Sequence, residues 1–320
     1  MGFLAVDVGG TKTQIAYFEK GRGENFAFEK RYESKNYQAL EAIIDDFIAT
    51  YAIKPKNAAI GVAGPVIQGV CHTTNLPWIV DGAQLKERFN LSSCEVMNDI
   101  VANAYGINVL TQEQLIVLQP GRKITGNRAL IAAGTGLGEA GIYFDSLSYH
   151  PFPTEGGHCD FAPQDDEEVD LLIFLKKRHG HVSYERVLSG GGVLSLYEFY
   201  TECRNLPKVA GVEASSREDQ PKMITQLGLA GEKTCQTVID RFVTIYAAEA
   251  GNLALKIYAT GGLYIGGGIA PKIIHALKQK NFIEAFCDKG RFKPWMEGIP
   301  IYVIQDEKTA LRGAAYVASR

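Results

Sequence analysis

Two stretches of this chain share one layout. FLAVDVGGTKTQIAYF, from Phe3, and ALIAAGTGLGEAGIYF, from Ala129, each run apolar strand, glycine turn carrying a threonine, second apolar strand. Such a pattern predicts a hairpin rather than a strand feeding a helix. Two such hairpins about 120 residues apart predict an internal duplication. The DVGGTKTQ turn carries neither a helix-opening GxGxxG nor GxxxxGK[ST], so neither standard nucleotide loop applies to it. A glycine turn with free N–H groups can still cradle a phosphate, since the missing Cβ atoms let the backbone approach the anion. The bland alternative is a plain hairpin turn. Two turns from two halves could grip one polyphosphate from both sides.

Between and after the hairpins, strand and helix alternate, the mark of an α/β protein. Leu40, Ile43, Ile44, Phe47, Ile48 and Tyr51 trace one helical face. A strand over 58–63 closes at Gly64-Pro65, an irregular segment covers Thr74 to Trp78, and Asp81 is the expected cap of the next helix. The stretch from Cys94 to Asn108 passes from strand to helix at Asn98-Asp99. An aspartate there can cap the helix; it can also sit at the carboxyl end of a strand, where α/β folds bind ligands, and take a proton from a hydroxyl. Asp165–His179 begins with acids and ends with bases, which complements the helix dipole and reads as structural. His179 and His181, near its end, read as helix caps rather than metal ligands. A long helix is predicted over Thr234 to Tyr258. The strand Leu263–Ile265 then enters Gly266-Gly267-Gly268 and a helix with Pro271 at its first position, and a last strand, IYVIQD, precedes a terminal helix from Glu307.

With 320 residues the chain predicts two domains, a smaller one of 1–109 plus 306–320 and a larger one of 110–305. Net charge is −3 with the charges well mixed, which argues against nucleic acid and anionic membranes as partners. No apolar run reaches the roughly 18 residues of a spanning helix. The start MGFLAVDVGG has no leader pattern, and the six cysteines form no CxxC pair, so reduced thiols in a cytoplasmic protein are expected.

ERVLSG, EGGHCDFAP and AGTGLG, with VMND, YIGGGIAP and CDKGRF, lie in an order and spacing that resemble the bacterial glucokinase family, within the sugar kinase–actin–heat-shock ATPase superfamily. The resemblance covers nearly the whole chain. It implies a two-domain actin-like ATPase (ribonuclease H-like) fold, α/β, with a cleft between the domains. It makes DVGGT (Asp7, Gly9, Gly10, Thr11) and AGTGLG (Gly134, Thr135, Gly136) the phosphate-binding turns, and puts Gly266, Gly267 and Gly268 at the adenine. It gives the sugar to Gly64, Asn98, Glu155, His158 and Glu185, and makes Asp99 the base toward the 6-hydroxyl of glucose. ATP would come with Mg2+, held through water to Asp7, and the protein would be a cytoplasmic homodimer acting at the start of glycolysis. That donor set suits a sugar, whose hydroxyls both donate and accept.

Two segments depart from the family: Lys12-Thr13-Gln14 stands where Asn-Ala-Arg is usual, and TTNLPW replaces TNHxW. The related repressor/open-reading-frame/kinase family carries a cysteine-rich zinc motif after its Glu-x-Gly-His. Here no cysteine follows Cys159 until Cys203, so zinc is not expected. The competing functions are a kinase of mannose or an N-acetylated hexose, a sugar-responsive regulator on the same fold, and a chaperone-like ATPase. The regulator would want a DNA-binding segment and basic patch, and the ATPase would not need Glu155, His158 and Glu185 together.

Overall fold

The computed structural model describes residues 2–19, 25–73 and 75–320; Thr74, within the segment read as irregular, lies outside them. The chain forms two compact units, one of Met1–Gln114, Tyr149–Pro153 and Asp306–Arg320, the other of Leu115–Ser148 and Thr154–Gln305.

In the first unit the glycine hairpin is β1 (Gly2–Val8) and β2 (Lys12–Phe18), followed by β3 (Phe28–Glu33), α1 (Leu40–Tyr51) and β4 (Pro55–Val62). A small three-stranded sheet, β5 (Val66–Ile67), β6 (Val70–His72) and β7 (Ile79–Asp81), precedes α2 (Gly82–Arg88). Asp81 caps α2 as expected, accepting from the N–H groups of Ala83 and Gln84. Then come β8 (Ser93–Asn98) and α3 (Asp99–Gly106). The main sheet runs β3-β2-β1-β4-β8, antiparallel through β1 and parallel from β1 to β8. The apolar face read in α1 packs on it: Leu40, Ile43, Ile44 and Phe47 are buried with Leu4, Val6, Ile15 and Ile60. Each such side chain contributes roughly 1.5–3 kcal/mol through removal from water.

The second unit opens with β9 (Leu115–Gln119), and its own glycine hairpin is β10 (Arg128–Ala133) and β11 (Leu137–Phe144). After β12 (Tyr149–Thr154), which groups with the first unit except for Thr154, come α4 (Asp166–His179), α5 (Gly190–Glu202), α6 (Ala210–Glu213), α7 (Gln220–Leu229) and α8 (Lys233–Ile257). They are followed by β13 (Gly262–Gly266), α9 (Ile274–Leu277), α10 (Lys280–Cys287), α11 (Lys293–Met296) and β14 (Ile301–Ile304). Its strands run β11-β10-β13-β14, antiparallel then parallel, which repeats the β2-β1-β4-β8 order of the first unit. The long α8 is the centre of this unit's core: Phe242, Tyr246 and Ala250 are fully buried. The acidic start of α4 is structural, since Arg241 of α8 pairs with Asp165, Glu167 and Glu168.

The last helix, α12 (Thr309–Ala318), belongs to the first unit and packs on α3. Glycines let the two approach: a Cβ on Gly313 would lie 1.8 Å from the Ala102 carbonyl oxygen, and one on Gly106 would lie 2.1 Å from that of Thr309. This contact fixes the helix that begins at Asp99.

Two expectations are corrected. Pro271 does not open a helix; residues 267–273 are turns and α9 begins only at Ile274, because the chain after β13 folds back on Ala133. His181 does not cap α4. Gly180 closes that helix, and the His181 ring instead meets Asp160 at 2.7 Å.

Candidate active site

In the first unit, β8 delivers Asn98 to the N-cap of α3, where its Oδ1 accepts from the Ile100 N–H at 3.0 Å. Its Nδ2 donates to the Gly64 carbonyl oxygen at 3.0 Å. Gly64 has φ +137, a conformation that favours glycine, and a Cβ there would crowd Cys71 at 3.1 Å. Asp99 is thus the first helical residue and not the cap, although its Oδ1 also accepts from Ile100 N–H, at 2.8 Å. Asp7, near the end of β1, feels the charge of Asp99. Burial first, and that charge second, push its carboxyl up to about 7. Burial and Asp99 also raise the Cys71 thiol.

The first glycine turn is closed by Gly9 N–H donating to the Lys12 carbonyl at 2.9 Å. Ser34 locks it from outside: its Oγ donates to the Gly9 carbonyl at 3.0 Å and lies 3.0 Å from Thr13 Oγ1, and its N–H donates to the Thr11 carbonyl. The departure at 12–14 is accounted for locally: Lys12 pairs with Glu33, Thr13 is buried against Ser34, and Gln14 stands opposite Asp7. Gly10 abuts Asn75, and a cavity of about 10 Å3 lies beside the turn. A depression of about 660 Å3 between α1 and α2 contains none of the candidate residues.

In the second unit the turn is closed by Gly134 N–H donating to the Gly136 carbonyl at 2.8 Å. A side chain locks this one too, and it is Glu185: its Oε2 accepts from the Leu137 N–H at 3.0 Å and would lie 2.4 Å from a Cβ on Gly136. The Gly190 N–H at the start of α5 donates to the Gly134 carbonyl, and Ser189 Oγ donates to that of Glu185. Gly267, at φ +81, presses on Ala133, where a Cβ would meet the carbonyl oxygen at 2.3 Å. The third glycine cluster therefore abuts the second. Gly136, Gly138 and Gly141 do have GxGxxG spacing, but the motif runs into strand β11 and does not open a helix. Thr11 and Thr135, one in each turn, are both exposed.

Glu155 and His158 flank a short helical turn, with His158 Nε2 3.9 Å from Glu155 Oε2 and both side chains exposed. Gly157 packs against Leu137, so this turn sits on the strand that leaves the second glycine turn. Sequence reasoning missed two residues, Ser34 and Glu139. The second had a signal: an acid inside an otherwise apolar strand. Among the described residues no group of three or more His, Cys, Asp or Glu could hold a metal ion, and no helix is long and apolar enough to cross a membrane. A magnesium ion that arrives on a nucleotide needs no such cage, and the mutual repulsion of Asp7 and Asp99 is what a cation would relieve.

A family model described as glucokinase matches residues 4–320. The glucokinase of Trichormus variabilis is 36% identical over 337 residues, covering 99% of this chain and 98% of the relative. That of Shigella sonnei is 36% identical over 314 residues, covering 97% and 95%. Among solved structures, a glucokinase from an Antarctic psychrotroph superposes with TM-score 0.87 at 31% identity, covering 99% and 98% of the two chains. A glucokinase of the repressor/open-reading-frame/kinase family from Streptomyces griseus, solved with glucose and AMPPNP, shares the fold at TM-score 0.68 and 19% identity, covering 99% of each chain.

Proposed function

The chain belongs to the glucokinase family and phosphorylates glucose, and from that premise we propose that Asp99 is the catalytic base. Asp99 draws the proton from the 6-hydroxyl of glucose as that oxygen attacks the γ-phosphate of Mg-ATP. The observation that carries this reading is the division of labour at the strand-to-helix junction: Asn98 occupies the cap position and Asp99 stands beside Asp7.

Gly64 and Asn98 hold the sugar on this side, and Glu155, His158 and Glu185 supply the carboxylates and imidazole for its other hydroxyls. The turns at Gly9, Gly10, Thr11 and at Gly134, Thr135, Gly136 hold the phosphates through their N–H groups, and Gly266–Gly268 border the base. Magnesium neutralises the phosphate charge and is held through water to Asp7. The binding of glucose and an ATP analogue by the Streptomyces griseus protein supports this choice of ligands. The family resemblance supports an actin-like two-domain fold with the reaction in its cleft, a cytoplasmic homodimer, and a place at the first step of glycolysis.

Asp99→Asn tests the reading. The variant is expected to lose on the order of 10²–10⁴ in kcat, with Mg-ATP affinity little changed. Turnover within a few-fold of the parent would return Asp99 to a helix-end role.

A further inference from the structure

Beneath the Glu155–His158 turn lies a second acidic pair that the proposed mechanism does not use. Glu139 projects from β11 into the core and is 1% exposed, with no hydrogen-bond partner for its Oε1. Its Oε2 lies only 1.9 Å from where a Cβ on Gly156 would sit, so the carboxyl abuts the backbone of the turn. Thr154 ties the same two segments together: its Oγ1 donates to the Glu139 carbonyl at 3.0 Å and accepts from the Gly156 N–H at 3.2 Å.

Behind Glu139, α8 presents Glu249, which is fully buried. Asn252 Nδ2 donates to Glu249 at 2.8 Å and also to the Tyr184 hydroxyl at 3.2 Å; Lys256 Nζ lies 3.4 Å from Glu249. Tyr184 immediately precedes Glu185. The pair thus underlies both segments assigned to the sugar.

We propose that Glu139 is a positioning residue for the hexose site, seating Gly156 so that Glu155 and His158 hold their spacing toward the sugar. This rests on the assignment of Glu155 and His158 to glucose. The site is built to hold Glu139 uncharged. Burial, with the charge of Glu249, pushes its carboxyl up to about 8, against the opposing pull of Lys256. Tyr246 and Glu249 of α8 both interact with it, and Lys289 adds positive charge near Glu249 and Lys256. Below about pH 8 Glu139 keeps its proton and the turn rests on a neutral group. Above that pH two carboxylates repel each other under the turn, and its seat is lost.

The test is the pH dependence of the glucose KM, measured in the parent, Glu139→Gln and Glu139→Ala, with Glu155→Gln as the control for the site itself. In the parent the glucose KM is expected to climb between pH 7 and 9.5, with the Mg-ATP KM unmoved. Glu139→Gln, always neutral, should have the parent's KM at pH 7 and show no climb. Glu139→Ala should raise the glucose KM at pH 7 by about ten-fold, through misplacement of the turn. A climb in Glu139→Gln equal to the parent's overturns the proposal, and this arm decides alone if Glu139→Ala does not fold. A normal KM in Glu155→Gln would sink the hexose-site assignment, and the proposal with it. A raised KM in Glu155→Gln beside parent-like Glu139 variants sinks the proposal only.

Discussion

The two glycine hairpins share strand order and an exposed threonine, yet their turns differ in length and they are locked differently. Ser34, a neutral hydroxyl buried in the first unit, holds the first turn by its carbonyl. A half-buried carboxylate, Glu185, holds the second by the Leu137 N–H. The first lock is purely a matter of satisfying a buried polar group. The second uses one oxygen of a side chain that is also assigned to the sugar, so on the proposed reading it links the phosphate grip to the hexose grip. The two hairpins repeat one strand order, and on the proposed reading the residue that braces each turn decides whether it is only a scaffold or also part of substrate recognition.

The comparison breaks most visibly at Glu185. Glu185→Ala removes both the brace and a charged sugar contact. A bond to a charged group contributes on the order of 1.5–3 kcal/mol, so the glucose KM should rise roughly ten-fold or more, and the Mg-ATP KM should rise with it. A glucose effect without a nucleotide effect would separate the two grips.

Ser34→Ala is the matched change in the first hairpin. It leaves the Gly9 carbonyl and Thr13 Oγ1 without this partner, which should lower stability by about 1–3 kcal/mol in denaturant titrations. Its glucose KM should stay where it was. A raised KM in a stable Ser34→Ala protein would show that the first lock also serves the substrate.

The smallest effect concerns the position of a limb, not its height. Burial first, and the charge of Asp99 second, push the Asp7 carboxyl up to about 7. On the proposed reading Asp7 must shed its proton to hold the hydrated magnesium, so kcat/KM should rise with pH through about 7 and level off above it. Asp7→Asn removes that titration, so the normalised limb should leave the region near pH 7. An unmoved limb would mean that Asp7 does not set it.

Much of the fold was legible because its signals are local. The periodicity of Leu40–Tyr51 and the Asp81 cap needed no knowledge of distant residues, and both hairpins form as their alternation predicts. Strands whose pairing is decided elsewhere were harder. FEKRYE in β3 carries the charges of an edge strand, and YHPFPT in β12 contains two prolines, so neither reads as a strand by propensity. Pro271 misled because a proline signals a helix start only if the chain is free to turn there, and Gly267 is pressed against Ala133. In the candidate site, Asn98 and Asp99 stood out from their place between strand and helix. The roles of Ser34 and Glu139 did not, since each depends on a partner twenty or so residues away in sequence or across a sheet face.

The central claim is tested most directly by assaying the purified protein with Mg-ATP and a panel of hexoses, following sugar phosphate formation. The account predicts glucose 6-phosphate as the product, with kcat/KM highest for glucose over mannose and N-acetylated hexoses. A folded protein that phosphorylates another hexose in preference to glucose, or none of them, would contradict it.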